Sequence, residues 1–421
     1  MVLRLRKSKK YYIKTFGCYA NEVDSDYIAG LLEGFGFSEL EKKGRNETEE
    51  IEHALKNSDI LIINSCSVRQ KSEDKVYGIG KIIKNNPKAR AKVVLTGCMV
   101  GSVTGDRKRF SENQLKMKTK DFDAYFPPSD IKSFLVVLKE LNLISKDLFL
   151  DRKGLKRRQE DKNHAYVNVS YGCDNFCSYC VVPYSRGCEI SRSKKEILEE
   201  IKCLIEKGVS DFTLCGQNVN SWGLSMEEKF KVRSAGRKDT DNKKQSKLPF
   251  AQLLREIHNI KEINNIDFIS SNPFDFTQDL VDVLKLPKIS NYVHIAVQSG
   301  NNKILKAMNR RHTSEEFVNL VERIRKVRPG IEIGTDIIVG FPGETREQFM
   351  DTVKLIEKVK FSVAFISMYS SRKGTFAEIN LKDDVPLKEK KWRHMYLTKE
   401  WRKNKPKVKS NYSHSRWVSS E

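Results

Sequence analysis

Three cysteines, Cys173, Cys177 and Cys180, stand in the run Tyr171-Gly-Cys-Asp-Asn-Phe-Cys-Ser-Tyr-Cys180 at C-x3-C-x2-C spacing. Thiols this close on one loop suit metal ligation. An iron–sulfur cube ordinarily takes four thiolates, so three would leave one iron open to a group that is not protein. Such a site suits binding and reducing a substrate better than storing an electron. Zinc is the competing occupant, and it favours four closed ligands with C-x2-4-C pairs. The nominal fourth ligand would be Cys188, eight residues past Cys180 and beyond Pro183.

A second set is scattered along the chain. Cys18 follows the apolar run Tyr11–Phe16, Cys66 follows Ile60–Ile63, and Cys98 follows Lys92–Leu95. Each run reads as a strand. Uniformly apolar strands separated by helical stretches, here around 24–35 and 70–85, indicate a parallel sheet covered on both faces. In such sheets ligands gather beyond the carboxyl ends of the strands. One free cysteine is often only a small buried hydrophobe. Three at the equivalent place, each beside Gly or Ser, read as a second three-cysteine metal site.

The elements that must position the first set come later. Beyond a charged linker at 151–162, six strand candidates occur at 165–170, 212–215, 266–270, 292–297, 331–339 and 361–368, with helical patterns between them. Six strand–helix units form most of a β/α barrel, whose sites sit at the carboxyl ends of the strands. The C-x3-C-x2-C loop follows the first of these strands. The expected fold class is therefore α/β: a doubly wound parallel-sheet domain over 1–150, then a partial (β/α)6 barrel over 151–383. A polar, Lys-rich insert at about 224–248 reads as a surface loop. A basic helix and tail fill 384–421. From 386 to 410 there are ten Lys/Arg against two Asp/Glu, interleaved with Trp392, Tyr396 and Trp401. That pattern suits either a solvated surface helix or a nucleic-acid contact made of cations and stacking rings.

The whole chain has 421 residues, with 77 Lys+Arg against 55 Asp+Glu, for a formal charge of +22. A charge this positive favours an anionic polymer as partner. The basic start lacks the apolar stretch of a signal peptide, and no run approaches the ~20 apolar residues of a membrane span. The expectation is a cytoplasmic protein, with no membrane partner, whose nine cysteines are free for metal or burial rather than disulfides.

Taken together, the motifs resemble those of the radical-SAM methylthiotransferases, most closely the MiaB-type tRNA branch. The passages that carry the likeness are Thr15-Phe-Gly-Cys18, Asn21-Glu-Val-Asp-Ser25, Asn64-Ser-Cys-Ser-Val-Arg69, Leu95-Thr-Gly-Cys-Met99, Gly172 to Gly187, Gly216-Gln-Asn-Val-Asn220, Val297-Gln-Ser-Gly300, Met308-Asn-Arg-Arg311 and Thr335 to Glu344. The resemblance implies that the six-stranded part is a radical-SAM barrel. It implies that Cys173, Cys177 and Cys180 hold a 4Fe-4S cluster that binds S-adenosyl-L-methionine (SAM). It also implies that Cys18, Cys66 and Cys98 hold an auxiliary 4Fe-4S cluster carrying the sulfur to be inserted. One SAM would give the radical that takes hydrogen from carbon 2 of an adenine; another would give the methyl group. The implied target is N6-isopentenyladenosine beside the tRNA anticodon, with a threonylcarbamoyl-adenosine or a ribosomal-protein aspartate as rival targets. A non-catalytic, metal-containing nucleic-acid-binding protein is the rival of another class. Implied partners are the tRNA anticodon stem-loop, a low-potential electron donor of flavodoxin or ferredoxin type and a sulfur donor, acting on a monomer. Gly216, Gln217 and Gln298, at barrel strand ends, are candidate SAM contacts. Arg186 and Arg192 are candidate phosphate contacts, or merely solvated. Cys188, Cys203 and Cys215 match no ligand motif.

The sequence also departs from the family. Tyr19 and Ala20 stand where relatives usually carry Gln-Met, and the stretch Tyr369–Phe376 keeps Arg372, Gly374 and Thr375 without the usual prolines. Relatives usually end in a TRAM β-barrel, whereas only 17 residues follow Asn404 (421 − 404). The expectation is that this domain is absent or truncated.

Overall fold

The computed structural model describes residues 8–128, 130–145, 157–158, 161–235 and 248–406. Most of the charged linker, residues 236–247 of the insert and the tail from 407 lie outside the described residues. The chain forms two compact units. The first draws on Met1–Glu160 and Val181–Cys188, and the second on Asp161–Cys180 and Glu189–Ser419. Among the described residues no helix is long and apolar enough to cross a membrane.

In the first unit, β1 (Lys10–Thr15), β2 (Ser38–Glu39), β3 (Ile60–Ser65), β4 (Lys92–Gly97) and β5 (Ala124–Tyr125) form one parallel sheet in the order β2-β1-β3-β4-β5. Its helices are α1 (Tyr19–Gly34), α2 (Glu47–Asn57), α3 (Gln70–Asn85), α4 (Cys98–Thr104), α5 (Glu112–Lys118) and α6 (Ile131–Glu140), joined from later in the chain by α7 (Val182–Ser185). Alternate strand residues feed opposite cores. Tyr12, Leu61, Ile63, Val93 and Leu95 pack with Ile51 and Leu55 of α2, Val76 and Ile79 of α3 and Val103 of α4. Tyr11, Ile60, Ile62 and Val94 pack with Leu31 and Leu32 of α1 and Phe134 and Leu138 of α6. This is the doubly wound arrangement expected of continuously apolar strands. The two-residue edge strands β2 and β5 are too short to leave a periodic signal.

In the second unit the strands are β6 (His164–Asn168), β7 (Ser170–Tyr171), β8 (Ile190–Ser191), β9 (Asp211–Cys215), β10 (Asn265–Phe268), β11 (Tyr292–His294), β12 (Glu332–Val339) and β13 (Val363–Met368). The helices are α8 (Lys194–Ile205), α9 (Met226–Ala235), α10 (Pro249–His258), α11 (Gln278–Val283), α12 (Asn302–Ala307), α13 (Ser314–Val327), α14 (Arg346–Val359), α15 (Phe376–Asn380) and α16 (Leu387–Asn404). Strands β6, β9 and β10 pair in parallel, as do β11, β12 and β13. Parallel bridges from Ile266 to Ile289 and from Ser271 to Ile295 connect the two groups. Among the described residues β6 and β13 do not pair, so the six strands make an open barrel.

The main core lies outside the strands, where Val167, Leu214, Ile266, Val293, Ile333 and Ile337 meet Ile201 of α8, Leu254 of α10, Phe317 of α13 and Ile356 of α14. The alternate positions carry polar groups. His164 bonds Thr213 (2.8 Å), and Tyr292, His294 and Asp336 form a chain with 2.8 Å links. A complete barrel of this type fills its interior with branched apolar side chains; this open one keeps a polar interior.

Two sequence expectations need correction. The insert is not a loop throughout: Met226–Ala235 is helix α9, and buried Lys229 pairs with buried Glu189 at 2.8 Å. The rings of α16 are not free to stack on bases. Trp392 stacks on Tyr396, both meet Phe349 edge-on, and Trp401 Nε1 donates to the Phe361 carbonyl. The rings are the packing face of the helix, and Lys388, Lys391, Lys399, Arg402 and Lys403 are exposed.

Arg393 of α16 anchors this packing. Its Nη1 donates to the carbonyl and carboxylate of Glu344, each at 2.8 Å, and both side chains are almost wholly buried. Removing one partner of a buried pair strands the other charge. Arg393→Ala is therefore expected to cost about 3–5 kcal/mol, read as a lowered midpoint in denaturant unfolding.

Candidate active site

The loop after β6 and β7 carries Cys173, Cys177 and Cys180 in the second unit. Left-handed backbone at Gly172 (φ 68°) and Phe176 (φ 48°) folds it back on itself, and Cys180 N donates to the Cys177 carbonyl at 2.9 Å. The Met308–Arg311 motif backs this loop. Asn309 Nδ2 donates to the Phe176 carbonyl (2.8 Å), Ser178 N to the Met308 carbonyl (3.0 Å), and Arg310 Nη1 to Cys177 Sγ (3.5 Å). Cys173 is buried, whereas Cys177 and Cys180 are partly exposed. Burial, with Cys180 and Cys177 beside it, pushes the Cys173 thiol well above its ordinary value. Metal coordination would take that proton away.

Around the same strand ends, buried polar atoms lack protein partners: both side-chain atoms of Asn168, Ser170 Oγ, Gln217 Oε1, Ser271 Oγ and Gln298 Oε1. An unsatisfied buried polar group is costly, so these atoms, at or beyond β6, β7, β9, β10 and β11, are candidate contacts for a polar ligand. Gln298 (φ 73°) and Ser270 (φ 68°) are held in left-handed backbone, strain on the order of 1–3 kcal/mol each. The neighbouring strand fixes Gln298, whose N donates to the Asp336 carbonyl (2.9 Å) and whose own carbonyl accepts from Ile338 N (3.0 Å). A Cβ on Gly216 would lie 2.5 Å from Ser170 Oγ, so a larger residue here would have to displace the Ser170 hydroxyl. The structure thus puts Gly216, Gln217 and Gln298 at strand ends in this unit. Asn168, Ser170 and Ser271 carry no signal in the sequence, because small polar residues at strand ends look like ordinary turn residues; Arg310 stands in the Met308–Arg311 motif, but its contact with Cys177 is seen only in the fold.

In the first unit Cys18, Cys66 and Cys98 follow β1, β3 and β4, three neighbours in the sheet. Two asparagines knit these ends together. Asn21 Nδ2 donates to Asn64 Oδ1 (2.8 Å) and the Ser65 carbonyl (3.1 Å), and Asn64 Nδ2 returns a bond to the Asn21 carbonyl (2.8 Å). Gly97 has φ 90°, and a Cβ there would fall 2.2 Å from the Ser65 carbonyl. Only glycine lets β4 turn into α4 and present Cys98. Cys66 shares a hydrogen bond with Cys98, which raises the Cys66 thiol and holds Cys98 well below the usual thiol range. Backbone N–H groups of Ser67 and Val68 reach the Cys98 and Cys66 sulfurs.

Arg186 and Arg192 are not surface arginines. Arg186 is buried against Asp24 at 2.8 Å and reaches Cys98; Arg192 bonds the Asn168 carbonyl (2.7 Å) and Glu200 (2.6 Å). Cys188 and Cys203 are exposed and Cys215 is buried.

Each set fits an iron–sulfur cube by its chemistry: three free thiols, on one loop in the second unit and beyond three neighbouring strands in the first, with N–H donors or a guanidinium facing sulfur. Among the described residues no three His, Cys, Asp or Glu side chains close on the single point that one metal ion would need. A cube makes a different demand, because each thiolate takes a separate iron.

Comparison with known proteins agrees with this geometry. Residues 167–356 match the radical SAM superfamily, and residues 10–117 match Uncharacterized protein family UPF0004. A tRNA-2-methylthio-N(6)-dimethylallyladenosine synthase of Thermotoga petrophila is 38% identical over 410 residues, which cover 96% of this chain and 84% of that one. The protein of the same name from Natranaerobius thermophilus is 38% identical over 383 residues, 88% of this chain and 77% of that one. Among solved structures, the radical S-adenosylmethionine methyltransferase TsrM of Kitasatospora setae, with cobalamin and a 4Fe-4S cluster bound, aligns with a TM-score of 0.56 at 14% identity, over 89% of this chain and 74% of that one. The cobalamin-dependent S-adenosylmethionine radical enzyme OxsB aligns at 0.54 and 12% identity, over 98% and 60%; both likenesses concern the fold. The chain belongs to the radical SAM superfamily and, within it, to the family of the tRNA-2-methylthio-N(6)-dimethylallyladenosine synthases.

Proposed function

We propose that this protein adds a methylthio group to carbon 2 of N6-isopentenyladenosine beside the tRNA anticodon. The observation that carries the reading is the pair of three-cysteine sets, one beyond three neighbouring strands of the first unit and one on a single loop after β6 and β7 of the second. Cys173, Cys177 and Cys180 would hold a 4Fe-4S cluster that binds SAM, and Cys18, Cys66 and Cys98 would hold a second 4Fe-4S cluster. When bound, these groups supply a 5′-deoxyadenosyl radical, a methyl group and the sulfur to be inserted.

The chain's own residues bind and orient. Arg310, held by the Ala296 carbonyl at 2.6 Å, donates to Cys177 and balances the charge of the thiolates. Asn168, Ser170, Gln217, Ser271 and Gln298 offer the acceptors and donors that the amino, carboxylate and ribose groups of SAM require, while Gly216 lets the backbone close in. The polar barrel interior admits a base drawn out of its stack, as enzymes acting on nucleobases require. The +22 charge and the exposed cations of α16 suit the tRNA backbone. The names of the Thermotoga petrophila and Natranaerobius thermophilus relatives support the substrate. A low-potential electron donor, a sulfur donor, a monomeric state and a cytoplasmic location complete the proposal.

The test is mass spectrometry of nucleosides from tRNA of a strain that lacks this gene and then regains it. The 2-methylthio-N6-isopentenyladenosine peak is expected to disappear and return. A peak that is unchanged, or a change confined to threonylcarbamoyl-adenosine derivatives, would refute the substrate assignment.

A further inference from the structure

We propose that Arg186, braced by Asp24, is the positioning residue of the Cys18/Cys66/Cys98 site: a fixed positive charge that holds the thiolates and sets the potential of the cluster they carry. The inference rests on the preceding reading of that site.

Arg186 follows α7 and Asp24 lies on α1, both in the first unit. Their side chains are 2% and 6% exposed, with 2.8 Å between Nη1 and Oδ2. Taking two charges out of water costs several kcal/mol per ion, so a buried pair survives only where every donor and acceptor finds a use. Here that condition is not met by protein. Arg186 Nη1 and Nη2 and Asp24 Oδ2 make no aligned hydrogen bond. What faces the guanidinium is sulfur: Cys98 lies within its reach and Cys18 within its electrostatic range. Guanidinium is charged at every working pH and presents a rigid fork of donors. Three thiolates and the sulfides of a cube are the acceptors that this fork lacks.

The seat of α7 is tight. A Cβ on Gly101 of α4 would lie 2.0 Å from the Ser185 carbonyl, so the segment carrying Arg186 rests directly on the helix that begins at Cys98. Groups that orient metal ligands commonly change metal affinity on the order of 10–100-fold when removed, and hydrogen bonds to cluster sulfurs are among the factors that set potential.

The experiment uses the full chain with Cys173, Cys177 and Cys180 all changed to alanine, so that only the second cluster is loaded. If this background holds no cluster, the reading of the site fails by itself, before Arg186 is tested. In a loaded background, R186M is expected to retain less iron against a chelator and to move the cluster's midpoint potential to a more negative value. R186K is expected to restore most of the potential while restoring iron retention less fully. D24N, measured at pH 8, is expected to shift the potential in the opposite sense, because it removes a negative charge and leaves the guanidinium in place. A potential unmoved in R186M, or R186K and R186M behaving alike, would overturn the proposal. If R186M fails to fold, D24N decides it: a D24N potential equal to that of the background would refute it.

Discussion

Cys173→Ala is expected to reduce release of 5′-deoxyadenosine from SAM to background and to lower the iron of the anaerobically reconstituted protein from about eight per chain to about four. The size of the effect follows from position. Cys173 is the buried member of its set, on a loop whose backbone is pinned from behind by Asn309 and Ser178. Alanine leaves two partly exposed thiols without their buried partner. Undiminished 5′-deoxyadenosine from the variant would show that the cleavage site lies elsewhere.

Cys98→Ala is expected to separate the two halves of the chemistry. Methylthiolated nucleoside should vanish and iron should again fall to about four per chain, while 5′-deoxyadenosine is still released from SAM at a measurable rate. Cys98 is the centre of its set: it accepts from Cys66, faces Arg186 and receives the Ser67 N–H. Its loss removes a ligand and leaves the Arg186 and Asp24 charges facing an empty corner. The comparison is made on one preparation, by liquid chromatography of nucleosides and of deoxyadenosine together. Methylthiolated product from the variant would refute the assignment of sulfur insertion to this site.

Much of this arrangement was legible in the sequence because two signals coincided. Ile60–Ile63 and Val93–Leu95 are apolar at every inward and outward position, as a strand covered on both faces requires, and a cysteine follows each. The C-x3-C-x2-C spacing is local, so no folding had to be inferred to bring its members together. What stayed hidden depended on long-range partners. Arg186 looked like a loop arginine because Asp24 is 162 residues away in the chain (186 − 24). The rings of α16 looked available because their partner, Phe349, sits on another helix. The strand-end polar groups Asn168 and Ser271 carried no periodic signal, and only the absence of partners in the folded barrel distinguishes them from turn residues.

The first unit contains α7, yet the chain reaches α7 only after Cys180, having already laid down β6 and β7 of the second unit. During synthesis the first sheet therefore cannot gain its last helix, or Arg186, until residue 188 has left the ribosome. A protein divided at residue 160 would not yield two self-sufficient halves. The break would leave one fragment lacking a helix that the other still carries, and the two genes would have to be expressed together to restore either.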